Sequence, residues 1–205
     1  MKVKVLGIDG KATGREVELP KDFFGVEPND HAIYLDVKQY LAAQRQATHK
    51  SKERADIKGS TKKLRKQKGS GAARIGSVKS PLLRGGGRAF GPRSDRNYSF
   101  KLNKKLKIVA RKSALTYRAK ANEIIVIEDI KLDSPKTKDF VAIFNNIDAA
   151  KKAVYVSTEI DSNLFLSSKN VQATKVTEIS KLNTYDILNC KTLVFAESSL
   201  EFFKA

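Results

Sequence analysis

Several residue types are scarce in this chain of 205 residues, and each scarcity removes a class of protein. One cysteine excludes an internal disulfide framework, and two histidines beside it are too few for a zinc-type ligand cluster. No apolar run exceeds about five residues, far short of the ~18 to 20 that a membrane span needs. The first residues, Met1 to Lys11, are charged and lack the long apolar stretch of a signal peptide. Glycine vanishes after Gly91, and neither Asp nor Glu occurs from Ile57 to Ser94. The expectation is a soluble, reduced, intracellular protein, cytoplasmic, with no metal, no cofactor and no membrane partner.

What is present in excess is positive charge. Forty Lys and Arg stand against 22 Asp and Glu, a formal charge of +18, which suggests a polyanionic partner. That charge is localised. Residues 1–40 carry a net −1 and residues 121–205 a net −2, whereas residues 41–120 carry +21. Within that middle, residues 44–100 hold 16 basic and 3 acidic groups but only nine large apolar side chains, together with eight of the twelve glycines. Such a stretch cannot bury enough apolar area to offset its chain entropy, so alone it is expected to be disordered or extended. A structureless segment this long inside a compact chain is expected to be the functional part.

The flanks alternate strand and helix patterns. Lys2–Leu6 and Arg15–Leu19 alternate apolar and polar residues around Asp9-Gly10 and Thr13-Gly14, the signature of a hairpin. Asn29 or Asp30 is expected to cap a helix with Ile33, Val37, Tyr40 and Leu41 on one face, running to about Ala47. After the basic segment, Leu102, Leu106, Val109, Ala110 and Tyr117 form an apolar stripe, with Lys104, Lys107, Arg111 and Arg118 on another face. Ile124–Ile127 reads as a buried parallel strand, followed by a helix from Pro135 through Phe140, Val141, Phe144 and Ile147. Val154–Val156, an Asp161-initiated helix, Lys175–Val176, a Thr184-capped helix, Thr192–Ala196 and a closing helix over Ser198–Lys204 complete the series. This alternation predicts an α/β layered sandwich, its mostly parallel central sheet flanked by helices and interrupted by a long extended basic loop. The expected division is residues 1–44 and 101–205 as the globular domain and 45–100 as a glycine-rich RNA-binding loop.

The chain lacks the signatures of common nucleotide and hydrolytic enzymes. Gly69-Ser70-Gly71-Ala72-Ala73-Arg74 begins like a dinucleotide fingerprint but has Arg74 in the third glycine position and no preceding apolar strand. Gly71 to Gly76 has the phosphate-loop spacing, yet Ser77 stands where the lysine belongs. Glu128 and Asp129 end an apolar strand, where α/β enzymes place catalytic carboxylates, but no histidine or second acidic motif accompanies them. They are expected to cap neighbouring elements. His31, His49 and Cys190 likewise lack the partners of a metal site or nucleophile. No catalytic residue is assigned.

The physics of the basic segment suits folded RNA. Lys and Arg neutralise phosphates and release counterions, Arg also stacks on unpaired bases, and glycine lets the backbone approach closely. As a hairpin, half of residues 44–100 at ~3.3 Å each reaches at most roughly 90 Å. The candidate RNA-binding residues are Arg45, Lys50, Lys52, Arg54, Lys58, Lys62, Lys63, Arg65, Lys66, Lys68, Arg74, Lys79, Arg84, Arg88, Arg93 and Arg96, with Lys104, Lys107 and Arg111 on the helix that follows.

A family resemblance runs through the same residues. Arg45-Gln46-Ala47-Thr48, Gly59-Ser60 with Lys62-Lys63, Lys66-Gln67-Lys68-Gly69-Ser70-Gly71 and Gly76-Ser77-Val78-Lys79-Ser80-Pro81 occur in the order of a known family. Arg84-Gly85-Gly86-Gly87, Asn103-Lys104-Lys105, Pro135-Lys136-Thr137-Lys138 and Asn163-Leu164-Phe165-Leu166-Ser167-Ser168-Lys169-Asn170 continue it. The chain resembles the bacterial large-subunit ribosomal proteins of the L-four family. The resemblance implies a structural constituent of the large subunit that binds 23S rRNA and supports assembly. Its loop would reach the nascent-peptide exit tunnel opposite the L-twenty-two family protein, with no homo-oligomer. The implied tip at the constriction is Arg65, Lys66, Gln67, Lys68, Gly69, Ser70, Gly71, Ala72, Ala73 and Arg74. The family's usual Pro-Trp pair before the tip is here Leu64-Arg65, and its usual Arg after the turn is Ala72, so one aromatic is lost and one charge displaced. A free RNA chaperone or a messenger-RNA-binding regulator would need the same charges, and an α/β enzyme acting on nucleic acid would need Glu128 and Asp129.

Overall fold

A computed structural model describes residues 1–149, 152–172 and 174–203. The chain divides into two compact units, Met1–Leu41 with Lys101–Ala205, and Ala42–Phe100. In chain order the elements are β1 (Lys2–Leu6), β2 (Ala12–Glu18), α1 (Lys21–Phe24), α2 (Asp30–Ala43), α3 (Lys104–Lys120), β3 (Ile124–Ile127), α4 (Thr137–Asn146), β4 (Ala153–Ser157), α5 (Ser162–Ser168), β5 (Lys175–Glu178), α6 (Thr184–Asn189) and β6 (Thr192–Ala196). Short 3₁₀ turns follow β5 at Ile179–Lys181 and β6 at Glu197–Phe203.

The first unit is built on one six-stranded sheet in the order β2-β1-β3-β6-β4-β5. β1 and β2 pair antiparallel with Val3 opposite Val17, and every other pairing is parallel. β6 lies between β3 and β4, with Val194 level with Ile125 on one side and Tyr155 on the other. Because successive strand residues point to opposite faces, the apolar runs divide into two cores. Ile124, Val126, Val154, Val156, Leu193 and Phe195 meet Phe24 of α1, Ala114, Leu115 and Ala119 of α3, and Ile187 of α6. Ile127, Ala153, Tyr155, Val194 and Ala196 meet Phe140, Ile143 and Phe144 of α4 and Leu164 of α5. A sheet covered on both faces explains why its central strands are uninterrupted apolar runs. Phe195 lies edge-on to Phe24 at 6.2 Å and to Phe203 at 5.9 Å, and truncating it to alanine would cost about 3–5 kcal/mol.

The α/β sandwich expected from the sequence is the architecture found, with differences of detail. α2 ends at Ala43 and not near Ala47, whose φ of 54° no right-handed helix accommodates. Asn29 Oδ1 does accept the Ala32 N–H at 2.9 Å, as a cap should. The buried face of α3 is Ala110, Ser113, Ala114, Leu115, Thr116 and Ala119, while Val109 and Tyr117 of the expected stripe are exposed. Small side chains let α3 approach the aromatic pair Phe23 and Phe24, and small residues leave little mark in a hydropathy pattern. α4 starts at Thr137, two residues after Pro135. Asn183, extended before the first turn, caps α6 by accepting the Asp186 N–H at 2.7 Å, while Thr184 is already helical and its Oγ1 donates to Asp36 Oδ2 at 2.5 Å. The closing segment is 3₁₀ and not α over Glu197–Phe203, and the expected end at Lys204 lies outside the described residues.

Candidate nucleic-acid interface

Residues 45–100 contain neither helix nor strand, yet they are not shapeless. Ser51 N–H donates to Pro92 O (3.0 Å), Arg88 N–H to Lys52 O (2.9 Å), Ser77 Oγ to Ser60 O (3.1 Å) and Leu64 N–H to Gly76 O (2.9 Å). Beyond them, Arg65 donates through its guanidinium to Ala73 O at 3.4 Å. These ties are nested, so two arms run antiparallel and the chain reverses over residues 66–72. Gly69 (φ 79°) and Gly71 (φ 63°) supply the left-handed conformations that the reversal needs. Three successive turns, closed by Ser80 N to Ser77 O, Leu83 N to Ser80 O and Gly86 N to Leu83 O, shorten the returning arm. From Arg45 to Arg65 the outgoing arm spans at most about 70 Å, less than the bound set by an unbroken extended chain.

The arms bury almost none of their charge. Of the candidate cations in this unit all but Lys79 are exposed, and Lys79 is half-buried. Two are neutralised internally, Arg93 Nε by Glu53 Oε1 at 2.6 Å and Lys50 by Asp56 Oδ2 at 3.4 Å. The Glu53 N–H hydrogen bond, with Lys50 beside it, holds the Asp56 carboxyl below the usual carboxylate range. Glu53 in turn raises the Arg93 guanidinium pKa through its hydrogen bond. At the foot of the arms the Tyr98 ring is flanked by Arg45 at 3.9 Å and Arg96 at 4.8 Å, and its hydroxyl lies 3.4 Å from His49 Nε2. Lys63 bonds Gln67 Oε1. The other ten, Lys52, Arg54, Lys58, Lys62, Lys66, Lys68, Arg74, Lys79, Arg84 and Arg88, make no side-chain ion pair, hydrogen bond or ring contact among the described residues.

On α3 the expected basic face separates by role. Lys104 is exposed and Lys107 and Arg111 are half-buried; the Arg111 Nε is buried without a hydrogen-bond partner among the described residues. Arg118 does not belong with them. Its guanidinium donates to Ile187 O at 2.9 Å and Leu188 O at 2.8 Å and pairs with Glu123, capping the last turn of α6. Lys112 sits 4.4 Å from the centre of the Phe23 ring. Hydropathy spacing sees a row of cations, and only the packing shows which of them face inward.

The carboxylates at the end of β3 are structural. Glu128 pairs with Arg15, which also reaches Glu197 at 3.0 Å, and Asp129 Oδ1 accepts from Ser198 Oγ at 2.8 Å. A cleft of about 760 Å³ opens beside them, lined by Asp129, Lys131, Tyr155, Glu159, Asp161 and Glu201 among others, with no histidine or cysteine in its wall. Burial pushes the Tyr155 phenol up to about 12 and the Cys190 thiol up to about 11, so both are neutral at physiological pH. His31 is exposed at the start of α2, and no metal-holding group of side chains occurs among the described residues. No described helix is long and apolar enough to cross a membrane.

The ribosomal protein L4/L1 family model matches residues 17–205. The large ribosomal subunit protein uL4 of Christiangramia forsetii is 56% identical over 202 residues, covering 98% of this chain and 97% of that protein. The proteins of the same name from Phocaeicola vulgatus and Porphyromonas gingivalis are 56% and 55% identical, covering 97% and 100% of their own lengths.

Proposed function

The chain belongs to the ribosomal protein L4/L1 family, and from that premise we propose how it serves the particle it belongs to. It is a structural constituent of the large ribosomal subunit, working in the cytoplasm as part of the ribosome and not as an enzyme. It binds 23S rRNA through the arms at residues 45–100 and through Lys104, Lys107 and Arg111. The reversal at Arg65 to Arg74 lines the constriction of the exit tunnel, near the nascent peptide and the L-twenty-two family protein, and the clamped RNA segments support assembly.

One observation carries this reading: ten cations, nine of them exposed, have no side-chain partner among the described residues and line a chain reversal held by hydrogen-bonded ties. Side chains that neutralise nothing within the protein are available for phosphates, and each phosphate neutralised releases counterions. The glycines at the reversal add no side-chain bulk, so the tip fits a narrow passage. Two of the three acids in the arms, Glu53 and Asp56, are paired with Arg93 and Lys50, which lessens their repulsion of RNA.

Salt-washed large subunits test the structural role: the protein is expected in stoichiometric amount, and its loss in the wash would defeat the reading. A photo-crosslinking amino acid at Gln67 tests the tip. Ribosomes stalled during synthesis are expected to yield adducts to 23S rRNA and to the nascent chain. Adducts confined to proteins of the subunit surface would move the tip elsewhere.

A further inference from the structure

Phe90 combines two features that are individually unfavourable. Its side chain is fully exposed, at 109% of the reference accessibility, and its backbone holds a φ of 53°, a left-handed conformation that bulky residues rarely adopt. Neither follows from a loose chain. The Ser51 N–H bond to Pro92 O (3.0 Å) and the Arg88 N–H bond to Lys52 O (2.9 Å) tie adjacent residues of one arm to positions four apart on the other. Residues 89–91 therefore bulge outward between two ties, with Phe90 at the apex. The bulge is closely backed, since a Cβ at Gly91 would overlap Ser51 Oγ and lie 2.9 Å from Arg88 Cγ. Water gains nothing from an aromatic ring held out in this way, so the strain points to a ligand for the ring.

We infer that Phe90 is a base-stacking residue, its ring laid against an unpaired nucleobase of the RNA that the arms clamp. The inference rests on the RNA-binding role proposed above and adds the contact that electrostatics alone does not supply. Exposed Arg88 two residues before the ring, in a segment with no acid from Ile57 to Ser94, brings phosphate close. Every base offers a π face to an aromatic ring, and RNA recognition favours loops and bulges whose bases are splayed out. Tyr98 shows the contrast: flanked by Arg45 and Arg96 and half-buried, it is consumed in holding the arms together.

The chain contains no tryptophan, so Phe90→Trp places a single indole reporter at the apex without removing the aromatic surface. With the full-length protein and protein-free 23S rRNA, the indole fluorescence is expected to be quenched on saturation, with affinity within about twofold of the parent. Phe90→Ala and Phe90→Leu are expected to bind about 5- to 150-fold more weakly with an unchanged salt slope, because stacking displaces no counterions. Arg88→Ala is expected also to weaken binding, but with the slope made shallower by about 0.7 to 0.9. An unquenched indole in the bound complex would refute the assignment, as would parental affinity in both Phe90→Ala and Phe90→Leu. A blue shift without quenching, seen only in assembled subunits, would also refute it by placing the ring against protein. Failure of the parent chain to bind 23S rRNA at all would defeat the RNA-binding role itself, a result distinct from either.

Discussion

If the arms bind RNA as proposed, the ten cations without a side-chain partner among the described residues set the salt dependence of binding. If each meets one phosphate, log affinity falls against log salt with a slope of about −7 to −9, using the coefficients for single strands and duplexes as bounds. Raising salt from 50 to 200 mM then weakens binding by about 16,000-fold at the shallower slope and about 260,000-fold at the steeper. The structure also says which substitutions move the slope. Lys66→Ala, Lys68→Ala and Arg74→Ala together remove three free charges and are expected to make it shallower by about 2 to 3. Glu53→Gln removes no cation but releases Arg93 from its 2.6 Å partner, and is expected to steepen the slope by up to about 1. Fluorescence titration of labelled 23S rRNA over a series of potassium concentrations reads each slope directly. A parental slope shallower than about −3, or a triple variant indistinguishable from the parent, would show that the free cations do not carry the binding.

Two further outcomes follow from the α/β unit. Arg118→Ala removes two charge-assisted bonds to Ile187 O and Leu188 O and is expected to cost about 2–4 kcal/mol, lowering the melting temperature by roughly 5–15 °C while leaving the salt slope intact. A changed slope with unchanged melting would place Arg118 among the RNA-facing residues instead. In alkali, Tyr155 and Cys190 have pKa values raised to about 12 and about 11 by burial, so the fold favours their protonated forms. The stability they contribute is complete below the ordinary thiol and phenol pKa values and is lost as pH rises through 11 to 12. Tyrosinate absorbance is thus expected to keep a late component, from Tyr155, that appears only with unfolding, and complete ionisation below pH 11 in a folded protein would contradict it.

The sheet was legible in the sequence because its strands are either alternating or wholly apolar, patterns set by which faces are covered. Residues Ile124–Ile127 and Thr192–Ala196 carry that signal without ambiguity. The α3 face was not legible, since Ser113, Ala114, Thr116 and Ala119 are buried for their small size and not for their hydrophobicity. α1, four residues long, is too short to show a helical period, although Phe23 and Phe24 supply much of the aromatic packing. The basic segment announced itself through charge and glycine, yet its architecture did not. The outermost ties, Ser51 to Pro92 and Arg88 to Lys52, join backbone groups far apart in the chain, and backbone hydrogen bonding leaves no trace in side-chain pattern. Phe90 was missed for the same reason: a lone aromatic in a glycine-rich stretch has no periodicity, and only its φ and exposure distinguish it.

The position of β6 bears on the order in which the protein becomes functional. It is the last strand to be synthesised, yet β3 and β4 meet only through it. Until Thr192–Ala196 are available, β2-β1-β3 and β4-β5 are two separate ribbons with open inner edges, so neither core can be completed. The arms at residues 45–100 have no such dependence, since all their ties are made among residues that emerge together. Translation thus delivers residues 45–100 well before the six-stranded sheet can close. During synthesis the basic segment is therefore complete while the sheet still lacks the strand that joins its two halves.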